Sequence, residues 1–203
     1  MKEARPSRVT LVLGGVRSGK SRFAHQAASR FPKVVFIATA KPSDVEMRMR
    51  IDRHRQARPR HWETREVPLD LHLAISALHD QHQLAIVDCL TVYLANVMSK
   101  VAGDEALIQG YVNRLCASLK QTKSSVILVS NEVGSGVHPP TELGRRYCDL
   151  LGELNQRVAA LADNVVLMVA GVPLVVKGQV PTLSQPRCSL VHEVREAVEQ
   201  SQL

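Results

Sequence analysis

The chain has 203 residues, 45% of them hydrophobic and 22% charged, with a formal net charge of +7. That is enough for one α/β domain with a sizeable core, and no apolar run is long enough to span a membrane. Aromatic residues are only 3%, which leaves little for nucleic-acid bases to stack on, despite the positive charge.

The opening residues Met1-Lys2-Glu3-Ala4-Arg5-Pro6 lead directly into an apolar run, Thr10-Leu11-Val12-Leu13, so no signal peptide is expected. Immediately after this run comes Gly14-Gly15-Val16-Arg17-Ser18-Gly19-Lys20-Ser21. It fits G-x-x-x-x-G-K-[ST] without mismatch, between a strand and the helical stretch near 19–30. Consecutive backbone N–H groups and a helix N-terminus make an anion-binding concavity. Gly14 and Gly19 allow backbone angles and close approach that a Cβ would hinder. Lys20 reaches the outer phosphates, and the Ser21 hydroxyl can ligate Mg²⁺. The segment predicts a nucleoside triphosphate site; a glycine-rich turn with a surface lysine is the alternative.

Val34-Val35-Phe36-Ile37-Ala38 reads as the next buried strand. Beyond it, Ser43-x-x-Glu46 is a capping box, so a helix is expected from about Asp44, ended by Pro59. Its apolar residues Val45, Met47, Met49 and Ile51 make no clean core stripe. Arg50, His54 and Arg58 recur at i, i+4 and i+8. Arg48, Arg50, Arg53, Arg55, Arg58, Arg60 and Arg65 stand against only Asp52 and Glu63. Most of the positive charge is therefore one compact cluster, suited to a small polyanion such as a triphosphate; solvated arginine decoration is the plainer reading. A histidine among cations is held neutral and nucleophilic. His54 is thus open to two readings, a nucleophile toward phosphorus or a surface histidine.

Helices are expected near 70–79, 91–99, 104–122 and 141–162, alternating with strands Leu84–Asp88, Val126–Ser130 and Val165–Val169. Pro173–Lys177 is an expected edge strand, since its proline cannot donate to a ladder. Continuous apolar runs point to a mostly parallel, doubly wound sheet covered on both faces, of the phosphate-loop NTPase type. Ligands on such sheets bind at the strands' carboxyl ends. Asp88 ends one strand, where an acid holds Mg²⁺ or activates a hydroxyl; a helix N-cap is its other reading. Asn131-Glu132-Val133-Gly134-Ser135-Gly136 follows another strand and suits either ligand contact or a turn. Cys89, Cys116, Cys148 and Cys188 are scattered, as expected of reduced thiols in a cytoplasmic protein. Residues 1–203 read as one domain, with a helix expected near 189–200 in a tail, 178–203, that carries no motif.

The motifs in order resemble one family. They are the phosphate loop; Phe36-Ile37-Ala38-Thr39; Glu46-Met47 through Arg50-Ile51-x-x-His54; and Arg58-Pro59-x-His61-Trp62-x-Thr64-x-Glu66. Asp88-Cys89-Leu90-Thr91, Ser130-Asn131-Glu132-Val133-Gly134-x-Gly136 and Asn155-Gln156-Arg157 complete the set. Over roughly residues 8–177 the chain resembles the bifunctional adenosylcobinamide kinases/adenosylcobinamide-phosphate guanylyltransferases of cobalamin biosynthesis. The resemblance implies phosphorylation of the aminopropanol hydroxyl of adenosylcobinamide by ATP or GTP, with Mg²⁺. It then implies transfer of GMP from GTP to that phosphate through a GMP–histidine intermediate at His54. It implies a nucleotide site of Gly14 to Ser21, Ala38, Thr39, Ala40, Arg55, Gln56, Ala57, Arg58, Glu66 and Asp88, with catalysis by His54, Lys20 and Asp88, and a homotrimer. Two positions depart from the pattern: Arg53 stands where some relatives have a second histidine, and Asp88 where some have glutamate. The alternatives are a phosphate-loop small-molecule kinase without guanylyl transfer, and a regulatory nucleotide-binding protein drawn to nucleic acid.

Overall fold

The computed structural model describes residues 9–42, 45–56, 58–78 and 82–179, with Glu46, Arg50 and His54 described by their backbone only. In chain order the elements are β1 (Val9–Gly14), α1 (Lys20–Ala28), β2 (Val34–Ala38), α2 (Val45–Gln56), β3 (Glu63–Glu66), α3 (Leu71–Ser76) and β4 (Leu84–Asp88). There follow α4 (Leu90–Lys100), α5 (Glu105–Gln121), β5 (Ser125–Val129), α6 (Glu142–Leu161), β6 (Asn164–Val169) and β7 (Val172–Lys177).

The strands form one sheet in the order β3-β2-β4-β5-β1-β6-β7. All neighbours are parallel except β6 and β7, which form an antiparallel hairpin. The central strands are buried on both faces, as their unbroken apolar runs require. One face carries the larger core: Leu71 and Ile75 of α3, Tyr93, Leu94 and Val97 of α4, Ile108 and Leu115 of α5, and Leu151, Leu154 and Val158 of α6. The other carries Phe23, Ala24, Ala27 and Ala28 of α1, against Phe36, Ile86 and Val166, with Trp62 beside them. No helix among the described residues is long and apolar enough to cross a membrane.

Three local expectations are corrected. β3 was not foreseen, because Glu63-Thr64-Arg65-Glu66 has no apolar pattern; it is an exposed strand that, among the described residues, pairs only with β2. Buried Trp62 anchors its entry. The helix expected at 70–79 ends at Ser76, where the N–H of Leu78 turns back to Ile75 in a tighter loop and buries Leu78. α2 ends at Gln56 rather than at Pro59, so Arg58 does not continue its face. The expected capping residues Ser43 and Asp44, and the expected helix near 189–200, lie outside the described residues.

Candidate active site

The site begins at β1, whose carboxyl end delivers the phosphate loop. Gly14 adopts φ +146°, and a Cβ there would lie 2.5 Å from the Met168 carbonyl oxygen. Gly19, at φ +98°, opens α1 in a left-handed conformation that side-chain-bearing residues rarely adopt. The Gly171 N–H donates to the Ser18 carbonyl at 2.9 Å, so the β6–β7 hairpin buttresses the loop from behind. The Lys20 ammonium donates to the Gly14 carbonyl at 2.9 Å and to the Gly15 carbonyl at 2.5 Å. It thereby lies folded along the loop that a phosphate chain would occupy. Burial lowers the Lys20 pKa, partly offset by Cys89 and Asp88. A poorly solvated ammonium is a strong partner for an arriving phosphate.

β2 and β4 set the floor. Ala38 pairs in register with Asp88, so these two strands end side by side. Thr39 is fully buried. Its hydroxyl donates to the Cys89 carbonyl and accepts from the Cys89 N–H, each at 2.8 Å. Asn96 donates to the carbonyls of Thr39 and Pro68 at 2.8 and 3.1 Å. Thr39 is therefore a tie between strands, while Ala38 and Ala40 face the cleft. The N-cap of α4 is Cys89, not Asp88, which removes the simple capping account of that aspartate. The Cys89 thiol is pushed up to about 11, by burial first and then by Asp88.

A cleft of about 660 Å³ opens above this floor. It is lined by the loop from Val16 to Ser21, by Asp88, and by Arg53, Arg55, Arg58 and Glu66. The Arg58 guanidinium stacks 3.7 Å over the Phe36 ring. Burial lowers its pKa, while Asp88 raises it, and an arginine remains charged across the physiological range. α2 contributes Met47, Ile51, Arg53 and Arg55 to the wall. Position 54 falls three residues after Ile51 and seven after Met47, on the same helical stripe. Gln56 is exposed and outside the lining, and Ala57 lies outside the described residues. His61 is likewise outside the lining, its ring edge-on to Trp62 at 6.5 Å.

Several lining residues carried no clear signal in the sequence. Ala170 and Gly171 reach the cleft only because the β6–β7 turn folds against the loop. Asn131, from the segment whose sequence suits ligand contact, and Thr91, from the Asp88-Cys89-Leu90-Thr91 motif, also line it. The Thr91 hydroxyl accepts from the Asn131 N–H at 2.8 Å, and its carbonyl accepts from Tyr147 at 2.9 Å. Asn155 donates to the Asn131 carbonyl at 3.0 Å, and the Glu132 N–H donates to the Gly14 carbonyl at 3.1 Å. The segment after β5 is therefore a braced cleft wall, and the cap of α6 is Thr141, far beyond it. Arg157 instead bonds Gln109 and Asn113, joining α6 to α5. Among the described residues Cys89, Cys116 and Cys148 are free thiols, and no three His, Cys, Asp or Glu side chains cluster as metal ligands.

The loop on a parallel sheet, with a basic cleft at the strands' carboxyl ends, defines a phosphate-loop nucleotide-binding protein. A solved RadB recombinase shares the fold, with a TM-score of 0.51 at 11% identity, covering 88% of this chain and 84% of that one. More specifically, the family model described as "Cobinamide kinase / cobinamide phosphate guanyltransferase" matches residues 10–176, and the chain belongs to that family. It is 42% identical to the bifunctional adenosylcobalamin biosynthesis protein CobP of Pseudomonas aeruginosa, over 83% of this chain and 97% of the relative. It is 36% identical to the bifunctional adenosylcobalamin biosynthesis protein CobU of Escherichia coli K12, over 82% of this chain and 98% of the relative. This match across nearly the whole of both relatives favours the bifunctional reading over a kinase alone.

Proposed function

We propose that the chain catalyses both reactions of its family in one catalytic domain. A nucleoside triphosphate, ATP or GTP, phosphorylates the aminopropanol hydroxyl of adenosylcobinamide. GTP then gives GMP to His54, with loss of pyrophosphate, and the corrinoid phosphate takes GMP from the histidine to form adenosyl-GDP-cobinamide. The observation that carries this reading is convergence: the phosphate loop, Asp88 and three arginines of the 48–65 cluster line one cleft. Attack on phosphorus needs that combination of triphosphate cradle and charge clamp.

In this reading Lys20 holds the outer phosphates, Arg55 and Arg58 the transferring group, and Asp88 orients the corrinoid hydroxyl. Ser21 and Asp88, both on the cleft, suit Mg²⁺, which keeps several waters and needs few protein ligands. Bound there, the ion would neutralise charge on the phosphates. Ala38, Ala40 and Glu66 complete the nucleotide wall, and Thr39 supports it from beneath. The protein works as a cytoplasmic homotrimer; its charge is concentrated at the cleft rather than spread as a nucleic-acid face.

The test is incubation with adenosylcobinamide and GTP, then with ATP, followed by mass analysis of the corrinoid. A GMP adduct supports both activities and a phosphate adduct alone supports only the kinase. An unchanged corrinoid from protein shown to bind GTP refutes the reading.

A further inference from the structure

We propose that Asn131 is a further catalytic residue of the phosphorylation step, its carboxamide donating to an oxygen of the transferring γ-phosphoryl group. The role presupposes that the chain phosphorylates a corrinoid hydroxyl. It follows from where Asn131 leaves the sheet. Val129 of β5 pairs with Val12 of β1 on one side and with Asp88 of β4 on the other. The ends of β1 and β4 therefore stand two strand spacings apart, about 9.6 Å, with β5 between them. The phosphate loop continues from β1, and Asp88 ends β4. A phosphoryl group passing from the loop to a hydroxyl at Asp88 crosses the end of β5.

Asn131 is fixed at that end. The Ser130 and Glu132 N–H groups on either side of it donate to the Val12 and Gly14 carbonyls at 2.9 and 3.1 Å. The segment thus runs alongside β1 up to the phosphate loop. The Asn131 N–H donates to the Thr91 hydroxyl at 2.8 Å, and its carbonyl accepts from Asn155 at 3.0 Å. Thr91 is itself held by Tyr147 at 2.9 Å, and Asn155 is buried. Both backbone polar groups of Asn131 are therefore taken by side chains. Its own carboxamide lines the cleft and makes no hydrogen bond to a described residue. A carboxamide carries two N–H donors and an acceptor, and on a braced backbone they are aimed before the ligand arrives.

The chemistry suits a neutral donor at this place. As the hydroxyl oxygen bonds to the γ-phosphorus, the bond from phosphorus to the β–γ bridging oxygen breaks. The nucleoside diphosphate leaves with that electron pair, and the hydroxyl proton passes to Asp88. Charge is spread meanwhile over the three equatorial oxygens of the phosphoryl group. Lys20 meets it from the loop, and Asn131 from β5. The neighbouring strand already ends in a carboxylate, Asp88, and a second one would repel those oxygens.

The test separates the transferring group from the rest of the nucleotide. ADP lacks that group, whereas ADP with aluminium fluoride and Mg²⁺ mimics it in transfer. Calorimetry on the full-length protein, without any corrinoid, compares wild type, Asn131→Leu and Asn131→Asp with both probes. Asn131→Leu should bind ADP as wild type does, yet lose about 10²-fold of the tightening that aluminium fluoride brings. With ATP and adenosylcobinamide, kcat for phosphorylation should fall by about 10²–10³ in both variants. Asn131→Asp, which keeps the shape, holds the test decisive if Asn131→Leu fails to fold. Unchanged tightening or an unchanged phosphorylation rate overturns the proposal. So does a loss of ADP affinity equal to the loss for the fluoride complex, which would mark Asn131 as cleft wall alone. Wild-type protein whose fluoride complex depends on Asn131, but which leaves adenosylcobinamide unphosphorylated, supports the contact and refutes the corrinoid reading instead.

Discussion

Thr39 and Cys89 exchange two hydrogen bonds of 2.8 Å through one hydroxyl, which joins the carboxyl ends of β2 and β4 beneath the cleft. Thr39→Val keeps the shape but leaves a buried N–H and carbonyl without that partner. The expected cost is about 1–3 kcal/mol of stability, read from the denaturant midpoint. Because Asp88 precedes Cys89, phosphorylation of the corrinoid should fall more than GTP binding does. A variant with wild-type stability would show that the tie is dispensable.

Lys20→Ala should leave the fold intact, since its side chain bonds only loop carbonyls. Both activities should fall by about 10²–10³ or more, the usual scale for one lost charge-stabilising donor. Steady-state rates of phosphate and GMP transfer measure this. Undiminished guanylyl transfer would separate the two reactions' phosphate sites.

Asp88 is not the N-cap of α4, so Asp88→Asn should barely move the melting temperature. Loss of a positioned base or metal ligand should slow phosphorylation of adenosylcobinamide by about 10²-fold or more. An equal loss of stability and rate would instead mark the carboxylate as structural.

His54 should acquire label from the α-phosphate of GTP without any corrinoid present, while γ-label departs with pyrophosphate. The phosphoramidate should be labile to acid and stable to base. His54→Ala should lose the adduct and the transferase activity and retain the kinase. Undiminished α-labelling of His54→Ala would place the nucleophile elsewhere, with His61 the first alternative.

Cys89 should not compete as a nucleophile. Its thiol ionises near 11 in the fold against 9.0 ordinarily, so it stays protonated at pH 8. The sign of the linkage follows: the unfolded chain releases this proton first, so the thiol contributes a loss of stability as pH rises from 9 toward 11, and none below. Alkylation of native protein at pH 8 should spare Cys89, and mass mapping of rapid labelling there would contradict the burial argument.

The phosphate loop and all six apolar strands were legible because each rests on local chemistry: a fixed spacing of glycines and lysine, or an apolar run. β3 was hidden because an edge strand needs only backbone pairing, and Glu63–Glu66 offers no side-chain pattern. The face shared by Arg50, His54 and Arg58 depended on a helix that ends at Gln56, and Arg58 reaches the cleft by stacking on Phe36 instead. Ala170 and Gly171 could not be read at all, since small residues in a turn carry no sign of what folds against them.

That turn has a consequence for how the molecule comes to work. The loop that receives the triphosphate is emitted near the start of the chain, yet its backbone is completed by Gly171, close to the end of the matched region. Between them in sequence come β2 to β6, and β6 must pair directly with β1 before the turn can reach the loop. Nucleotide recognition is therefore a property of the finished sheet and not of the motif, and a chain interrupted before the hairpin would carry an intact phosphate-loop sequence with no shaped site to use it.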